Sequence, residues 1–178
     1  MTKLSAVQQK FILHWGEMGA RWGINRTVAQ IHALLYLAPK PLNAEEIATL
    51  LSIARSNVST SLHELLDWGL VRSSHVLGDR REIFEAEKDV WQMLQIIVDE
   101  RKKREVDPTL SVLKSCAVEL QNVNGAENAY TRERIGEMLS FFETTTSLYD
   151  DLKRVPSGAL RHLIKMKGKI RKLLAGTT

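Results

Sequence analysis

Residues 43–86 read NAEEIATLLSIARSNVSTSLHELLDWGLVRSSHVLGDRREIFEA, and this stretch decides the fold. Asn43 followed by Glu46 is typical of a capping box at the start of a helix. Ile47 and Leu50 then follow at helical spacing, which predicts a short helix with one apolar face. Only a brief turn can separate this helix from the next one.

A second helix is predicted from about Ala54 to Trp68, and it ends before Gly69 because glycine readily takes the left-handed conformation that closes a helix. Its apolar positions share one face. The other side carries short polar side chains that are mediocre helix formers. Such groups allow a helix to enter a major groove and to bond to phosphates and base edges. The residues predicted to contact DNA are Arg55, Ser56, Asn57, Ser59, Thr60 and His63.

A hairpin is predicted after this helix, with strand-like runs at 70–77 and 82–86 around the turn signal Gly78-Asp79. Its tip carries Arg80 and Arg81, and arginine on a protruding hairpin suits a narrow minor groove, where the negative potential is focused. Asp79 is expected to orient a neighbouring arginine through a paired contact. The order is therefore helix, turn, helix, wing.

These residues resemble a known family. The run from Ile47 to Val71, IATLLSIARSNVSTSLHELLDWGLV, closed by Asp79-Arg-Arg, is similar to the winged helix-turn-helix of MarR-type bacterial transcription regulators. The preceding run at 22–37, WGINRTVAQIHALLYL, narrows the resemblance to the GbsR-like branch. The resemblance is good over about 21–86 and weak beyond.

The resemblance carries several expectations. It implies that the second helix reads the major groove through Arg55 to His63, and that Asp79 and Arg81 anchor the wing in the minor groove. It also implies a homodimer, usually a repressor, often released by a small ligand. Some GbsR-like members resemble choline sensors.

The chain as a whole is predicted to be mostly α-helical, with the winged helix-turn-helix domain at 21–88 and a helical dimerisation and effector region at 1–20 and 89–178. Helices are predicted at about 4–20, 26–37, 88–104, 107–122 and 131–155, with a last one after Pro156. The C-terminal amphipathic helices need a partner for their apolar faces. A two-fold dimer supplies one, and it also holds two recognition helices at a fixed spacing.

Composition and the motifs that are absent narrow the possible functions of the chain. The net charge of +4 over 178 residues is compatible with nucleic acid. Cys116 is the only cysteine, which excludes an intramolecular disulfide and favours a reducing cytoplasm. The apolar runs are too short to cross a bilayer, so no membrane partner is expected. No metal-ligand pattern, phosphate loop or nucleophile elbow is present, so we predict no metal, no cofactor and no enzyme activity.

Three tryptophans, Trp15, Trp22 and Trp91, stand out in a chain of low aromatic content. Aromatic faces attract cationic groups, so these residues are candidates for binding a small cationic or amphipathic effector. Packing in a dimer core is the alternative interpretation. Two other functions stay open: a winged-helix module that contacts protein without specific DNA binding, and an oxidant sensor through Cys116. The polar helix and the arginine-tipped wing favour DNA.

Overall fold

A computed structural model of the chain describes residues 3–75, 77–78, 80–121 and 125–155. The chain divides into two compact units, Met1–Ile97 and Val98–Thr178. Most of the described residues are helical, and the sheet is small and antiparallel. The predicted fold class is therefore confirmed.

The first unit begins with four helices whose ends lie within a few residues of the predicted ones. Side chains cap the first three at their N-termini, namely Ser5, Asn25 and Asn43. Capping satisfies backbone N–H groups that have no partner within the helix. The helices are α1 (Ala6–Arg21), α2 (Arg26–Leu37), α3 (Ala44–Leu51) and α4 (Arg55–Asp67).

Two glycines in α1 allow it to approach α2 closely. A β-carbon at Gly19 would lie 2.5 Å from the β-carbon of Ala29, and one at Gly16 would lie 2.6 Å from Cγ of Gln30. Because glycine is a poor helix former, the sequence predicts that Gly16 and Gly19 weaken this helix toward its end. The helix nevertheless continues to Arg21. Its glycines lie on the face that packs against α2, where no side chain fits.

The sheet has the order β1-β3-β2, with both pairings antiparallel. The predicted hairpin is present as β2 (Val71–His75) and β3 (Glu82–Ala86), in a register that pairs Val71 with Ala86. The additional strand β1 (Leu42–Asn43) pairs with β3 just before α3. The sequence does not reveal β1, since two residues are too few to show an alternating pattern.

The core of the first unit is formed by α2, α3, α4 and the sheet, with contributions from α1 and α5. Its largest fully buried side chains are Ile31, Leu35, Ile47, Leu65 and Val58. Apolar burial of this kind is the main favourable term in folding. Because Val58 and Leu65 point inward, the polar side of α4 faces outward.

The next helix, α5 (Val90–Arg101), does not stop where the sequence predicted. A π-helical turn, Lys102–Val106, follows it directly and leads into α6 (Asp107–Gln121). The pair Asp107-Pro108 in the sequence predicts an N-cap before a new helix, but Asp107 has helical angles, φ −63° and ψ −41°. Pro108 has no N–H to donate to the preceding turn and its ring crowds the carbonyl there. A wider π-helical turn is one way in which a helix accommodates such a residue.

In the second unit, α7 (Ala126–Lys153) packs against α6. The Tyr149 hydroxyl donates to Oδ1 of Asp99 at 2.9 Å, and Lys153 Nζ lies 2.7 Å from Oδ2. Burial, together with the bond to Asp99, raises the pKa of Tyr149 to about 12. The helix begins earlier than the sequence predicted. The predicted last helix, after Pro156, lies outside the described residues.

The spacing of apolar residues in α7 predicts that they share one side, namely Ile135, Met138, Leu139, Phe142, Tyr149 and Leu152. The structure divides this set. Ile135, Leu139, Phe142 and Tyr149 are partly buried, whereas Met138 and Leu152 are exposed. The exposed stripe of α7 consists of Tyr130, Met138, Phe141, Leu148 and Leu152.

Candidate nucleic-acid interface

The helix-turn-helix is built by local bonds that the sequence predicted. Oδ1 of Asn43 accepts from the backbone N–H groups of Glu45 and Glu46, both at 3.0 Å, and Oε2 of Glu46 accepts from the N–H of Asn43 at 2.8 Å. At the other end of α3, Ser52 takes a left-handed conformation with φ 55°. The capping box and this left-handed residue set the start of α3 and the turn into α4.

The ends of α4 differ in how they are closed. Gly69, with φ +75°, and Leu70 donate to the carbonyls of Leu66 and Leu65, which is a Schellman motif. At the N-terminus the cap is Ala54, and no side chain bonds to the first N–H groups. Those groups carry the partial positive charge of the helix and are suited to an anion.

The outward face of α4 presents the residues that the sequence predicted for DNA contact. Arg55, Ser56, Asn57, Ser59, Thr60 and His63 are all exposed. Nδ1 of His63 lies 2.7 Å from the carbonyl of Ser59. A carbonyl can only accept, so Nδ1 donates there, and Nε2 is left for a group outside the helix.

A groove of about 380 Å³ lies between the helix-turn-helix and the wing; we call it the α4–wing groove. The structure brings part of the predicted set together here: Arg55, Ser59, His63, Arg80 and Arg81 all line it. Ser56, Asn57 and Thr60 are exposed on α4 but do not line the groove. Asp79 lies outside the described residues, so its expected pairing with an arginine stays a prediction.

Two acidic residues also line the groove, and the sequence analysis did not place either of them there. Glu45 lies on α3 with Oε1 3.5 Å from Nη1 of Arg55, and Glu82 starts β3. One signal in the sequence points to Glu45. The capping box uses Glu46, so the adjacent Glu45 is a second carboxylate in the first turn of α3 that the box does not employ.

Trp15 and Trp22 line a small apolar cavity of about 50 Å³ within the first unit. Trp68 and His32 line it too, although the sequence analysis did not select them; Trp91 does not. The ring centroids of Trp15 and His32 are 6.4 Å apart.

His32 is a polar residue of this cavity. Its side chain is buried, and Nε2 has no hydrogen-bond partner among the residues that the structure describes. Burial, and secondly the charge of Lys88, lowers the pKa of His32 to about 4. The imidazole is therefore neutral at physiological pH.

Other candidate chemistry can be located in the described part of the chain. Cys116 is partly buried on α6, and its role as an oxidant sensor stays a prediction. Within the described residues, no group of three or more histidine, cysteine, aspartate or glutamate side chains is placed to hold a metal ion. Of the helices described, none combines the length and apolar character that crossing a membrane requires.

The model of the MarR family matches residues 22–82, which span α2 to the start of β3. This part of the chain is thus similar to the MarR family, in agreement with the resemblance seen in the sequence. Two repressors of Bacillus subtilis (strain 168) are similar to the chain over a longer stretch. The repressor GbsR is 25% identical over 137 residues, covering 75% of each chain. The repressor OpcR is 18% identical over 136 residues, covering 75% of this chain and 74% of OpcR.

A crystal structure of a transcriptional regulator shares the fold of this chain. It has a TM-score of 0.64 and 18% sequence identity, and the match covers 82% of this chain and 95% of that one. The chain is a MarR-type transcriptional regulator with a winged-helix DNA-binding domain, as the sequence predicted. The individual DNA contacts stay predictions.

Proposed function

We propose that this MarR-type regulator binds a specific duplex DNA sequence as a homodimer and represses transcription in the bacterial cytoplasm. The observation that carries the proposal is the α4–wing groove, where Arg55 and His63 of the recognition helix meet Arg80 and Arg81 of the wing. Base edges are read in the major groove and arginine suits a narrow minor groove. Neighbouring grooves of one duplex thus account for both parts of this surface.

The N-terminus of α4 supports the same placement. Its first N–H groups have no side-chain cap, and Arg55 stands beside them. A phosphate at that point would receive backbone donors and the partial positive charge of the helix end. Such contacts orient a protein on DNA without reading the sequence. Sequence reading then falls to the exposed side chains of α4, among them Arg55, Ser56, Asn57 and Ser59.

The exposed stripe of α7 supports the homodimer. Its members from Met138 onward are spaced at intervals of three, seven and four residues, so they follow one side of the helix. Large apolar side chains in a continuous exposed row commonly mark an association surface. A second copy of the chain presents the same stripe and can cover it across a two-fold axis. The repressor function is supported by the names of the relatives GbsR and OpcR.

Selection from a pool of random duplexes tests the proposal. The regulator should enrich one motif, and its affinity for that motif should exceed its affinity for a scrambled duplex. The logarithm of the affinity should fall with the logarithm of the salt concentration at roughly −0.9 per phosphate neutralised. Equal binding to both duplexes would instead favour a winged-helix module for protein contact. Transcription in vitro from a promoter that carries the motif then separates repression from activation.

Release by a small ligand is the second part of the proposal. The cavity beside Trp15, Trp22 and His32 combines aromatic faces with the polar Nε2 of His32, which fits an amphipathic molecule. Its volume of about 50 Å³ is far below the roughly 300–1,000 Å³ of ligand pockets. A ligand must therefore widen the cavity. It releases DNA only if it binds the widened form better than the DNA-bound form.

Tryptophan fluorescence titrated with choline and with glycine betaine tests this part. Trp22→Leu should abolish a saturable change, because Trp22 lines the cavity. Trp91→Leu is the matched control, since Trp91 does not line it, and should preserve the change. DNA affinity is measured in parallel at millimolar ligand. No saturable change in the wild type, with DNA affinity unaltered, would leave these tryptophans as packing residues.

A further inference from the structure

Glu45 places a carboxylate in a groove where the other charged residues are mostly arginines. Its neighbour Glu46 closes the capping box of α3, and Glu45 lies beside it in the first turn, where a negative charge favours the helix end. Oε1 of Glu45 lies 3.5 Å from Nη1 of Arg55, the first residue of α4. Both side chains line the α4–wing groove. The pair thus lies at the N-terminus of the recognition helix α4.

Stability does not explain this ion pair. The side chains are 67% and 58% exposed, and the distance of 3.5 Å is long for a charged hydrogen bond. Exposed pairs of this kind contribute little to folding. The carboxylate of Glu45 does lie close enough to the guanidinium of Arg55 to bias its orientation. That group has five N–H donors in a fixed plane, so it can keep one toward Glu45 and present others to a base.

The carboxylate has two separable effects on DNA binding. It repels phosphates of any sequence to a similar extent, which lowers the affinity for every duplex. It also keeps Arg55 from turning toward the nearest phosphate, which every sequence offers. An arginine held in this way is available for the paired acceptors of guanine, which only some sequences offer. The second effect therefore changes the ratio of specific to nonspecific affinity.

We propose that Glu45 is a positioning residue that holds Arg55 for base reading and thereby exchanges affinity for specificity. The proposal rests on the sequence-specific DNA binding proposed above. It assigns Glu45 a role beyond the first turn of α3, and it explains why a carboxylate stands in a DNA-facing groove.

The test uses the full chain and two duplexes: the motif that the wild type selects from a random pool, and a scrambled version of it. Glu45→Gln should bind the scrambled duplex several-fold more tightly, because the repulsion between the carboxylate and the phosphates is removed. Its ratio of specific to scrambled affinity should fall severalfold. Its salt slope on the scrambled duplex should steepen by up to roughly 0.9 per subunit as Arg55 takes up a phosphate contact.

Two comparisons separate this role from a general charge effect. Glu17→Gln removes the same charge from an exposed position on α1 outside the groove, and it should leave the ratio and the salt slope unchanged. In an Arg55→Ala background, Glu45→Gln should leave the ratio unchanged, because Glu45 has no arginine left to hold. Thermal unfolding of each variant shows whether its helices remain intact.

The outcomes are distinct. A ratio for Glu45→Gln equal to that of the wild type, or a change that persists without Arg55, would overturn the role of Glu45 while leaving the DNA-binding function in place. If the wild type itself enriches no motif, the proposed function fails and the role of Glu45 falls with it.

Discussion

His32 carries an imidazole into the apolar core, where Nε2 finds no hydrogen-bond partner among the described residues. Its pKa of about 4 lies below the 6.5 of an unfolded chain, so between these pH values the unfolded state binds a proton that the folded state excludes. The folded state therefore loses stability as the pH falls through this window. The neutral form, which prevails at higher pH, is the one that fits the core.

Acidification should lower the stability of the folded chain through His32. Lowering the pH from 7 to 4 should reduce the free energy of unfolding by about 3 kcal/mol through His32, at roughly 1.4 kcal/mol per pH unit across the window. Urea unfolding at several pH values measures it. His32→Leu should remove that share of the pH dependence, whereas His14→Gln, at an exposed site, should not. Parallel pH profiles for His32→Leu and the wild type would contradict the assignment.

Arg81 lies at the exposed tip of the wing and lines the α4–wing groove, where it is placed to contact DNA. Arg81→Ala should weaken operator binding by a few kcal/mol per dimer at most, as expected for the loss of one charged contact per wing. The melting temperature should not change. Arg21→Ala, which removes the same charge from the end of α1, should bind like the wild type in a mobility-shift assay. Unaltered binding by Arg81→Ala would show that the wing has been wrongly assigned.

At the scale of elements, the contact between α1 and α2 depends on the absence of side chains. Gly19 leaves no room for a β-carbon beside Ala29, whose own β-carbon cannot rotate away. Around Gly136 of α7, apart from its chain neighbours and the local helix backbone, the described residues place no heavy atom within 4 Å of where its β-carbon would be. The two glycines are alike in the sequence, since each interrupts an amphipathic helix. Their surroundings make them opposite.

The same substitution at these two glycines should therefore change the stability of the chain in opposite directions. Gly19→Ala should destabilise the chain by about 1–3 kcal/mol through overpacking, which exceeds the gain from better helix propensity. Gly136→Ala should stabilise it by roughly 0.5–1 kcal/mol, because alanine restricts the unfolded chain and fits the helix without strain. Chemical unfolding of both variants provides the measurement. A stabilising Gly19→Ala would mean that α1 and α2 are less closely packed than described.

The exposed stripe of α7 predicts that two copies of the whole chain associate through it. The intact chain should be a dimer at micromolar concentration. Phe141→Glu places a charge in the middle of the stripe and should shift it to monomer, with weaker operator binding. Ser140→Glu, one residue away on the polar side, should remain a dimer. Light scattering after size exclusion distinguishes these outcomes, and a monomeric wild type would rule out the stripe as a dimer surface.

Features that depend only on residues close together in the sequence could be predicted from it. The capping box at Asn43, the stop at Gly69 and the hairpin around Gly78 are set by bonds and dihedral angles within a few residues. Periodicity likewise predicted which side of α4 is polar. These local signals were sufficient for the helix-turn-helix, the wing and the family.

Only the tertiary structure decided which distant residues meet. Packing brings Glu45 to Arg55 and places His32 with Trp15, Trp22 and Trp68 while leaving Trp91 apart. The same dependence on packing explains the errors along the helices. Whether a glycine weakens a helix depends on what faces it, and whether Pro108 ends a helix depends on how the preceding turn accommodates it. Such outcomes follow from distances between elements, and a one-dimensional pattern does not contain those distances.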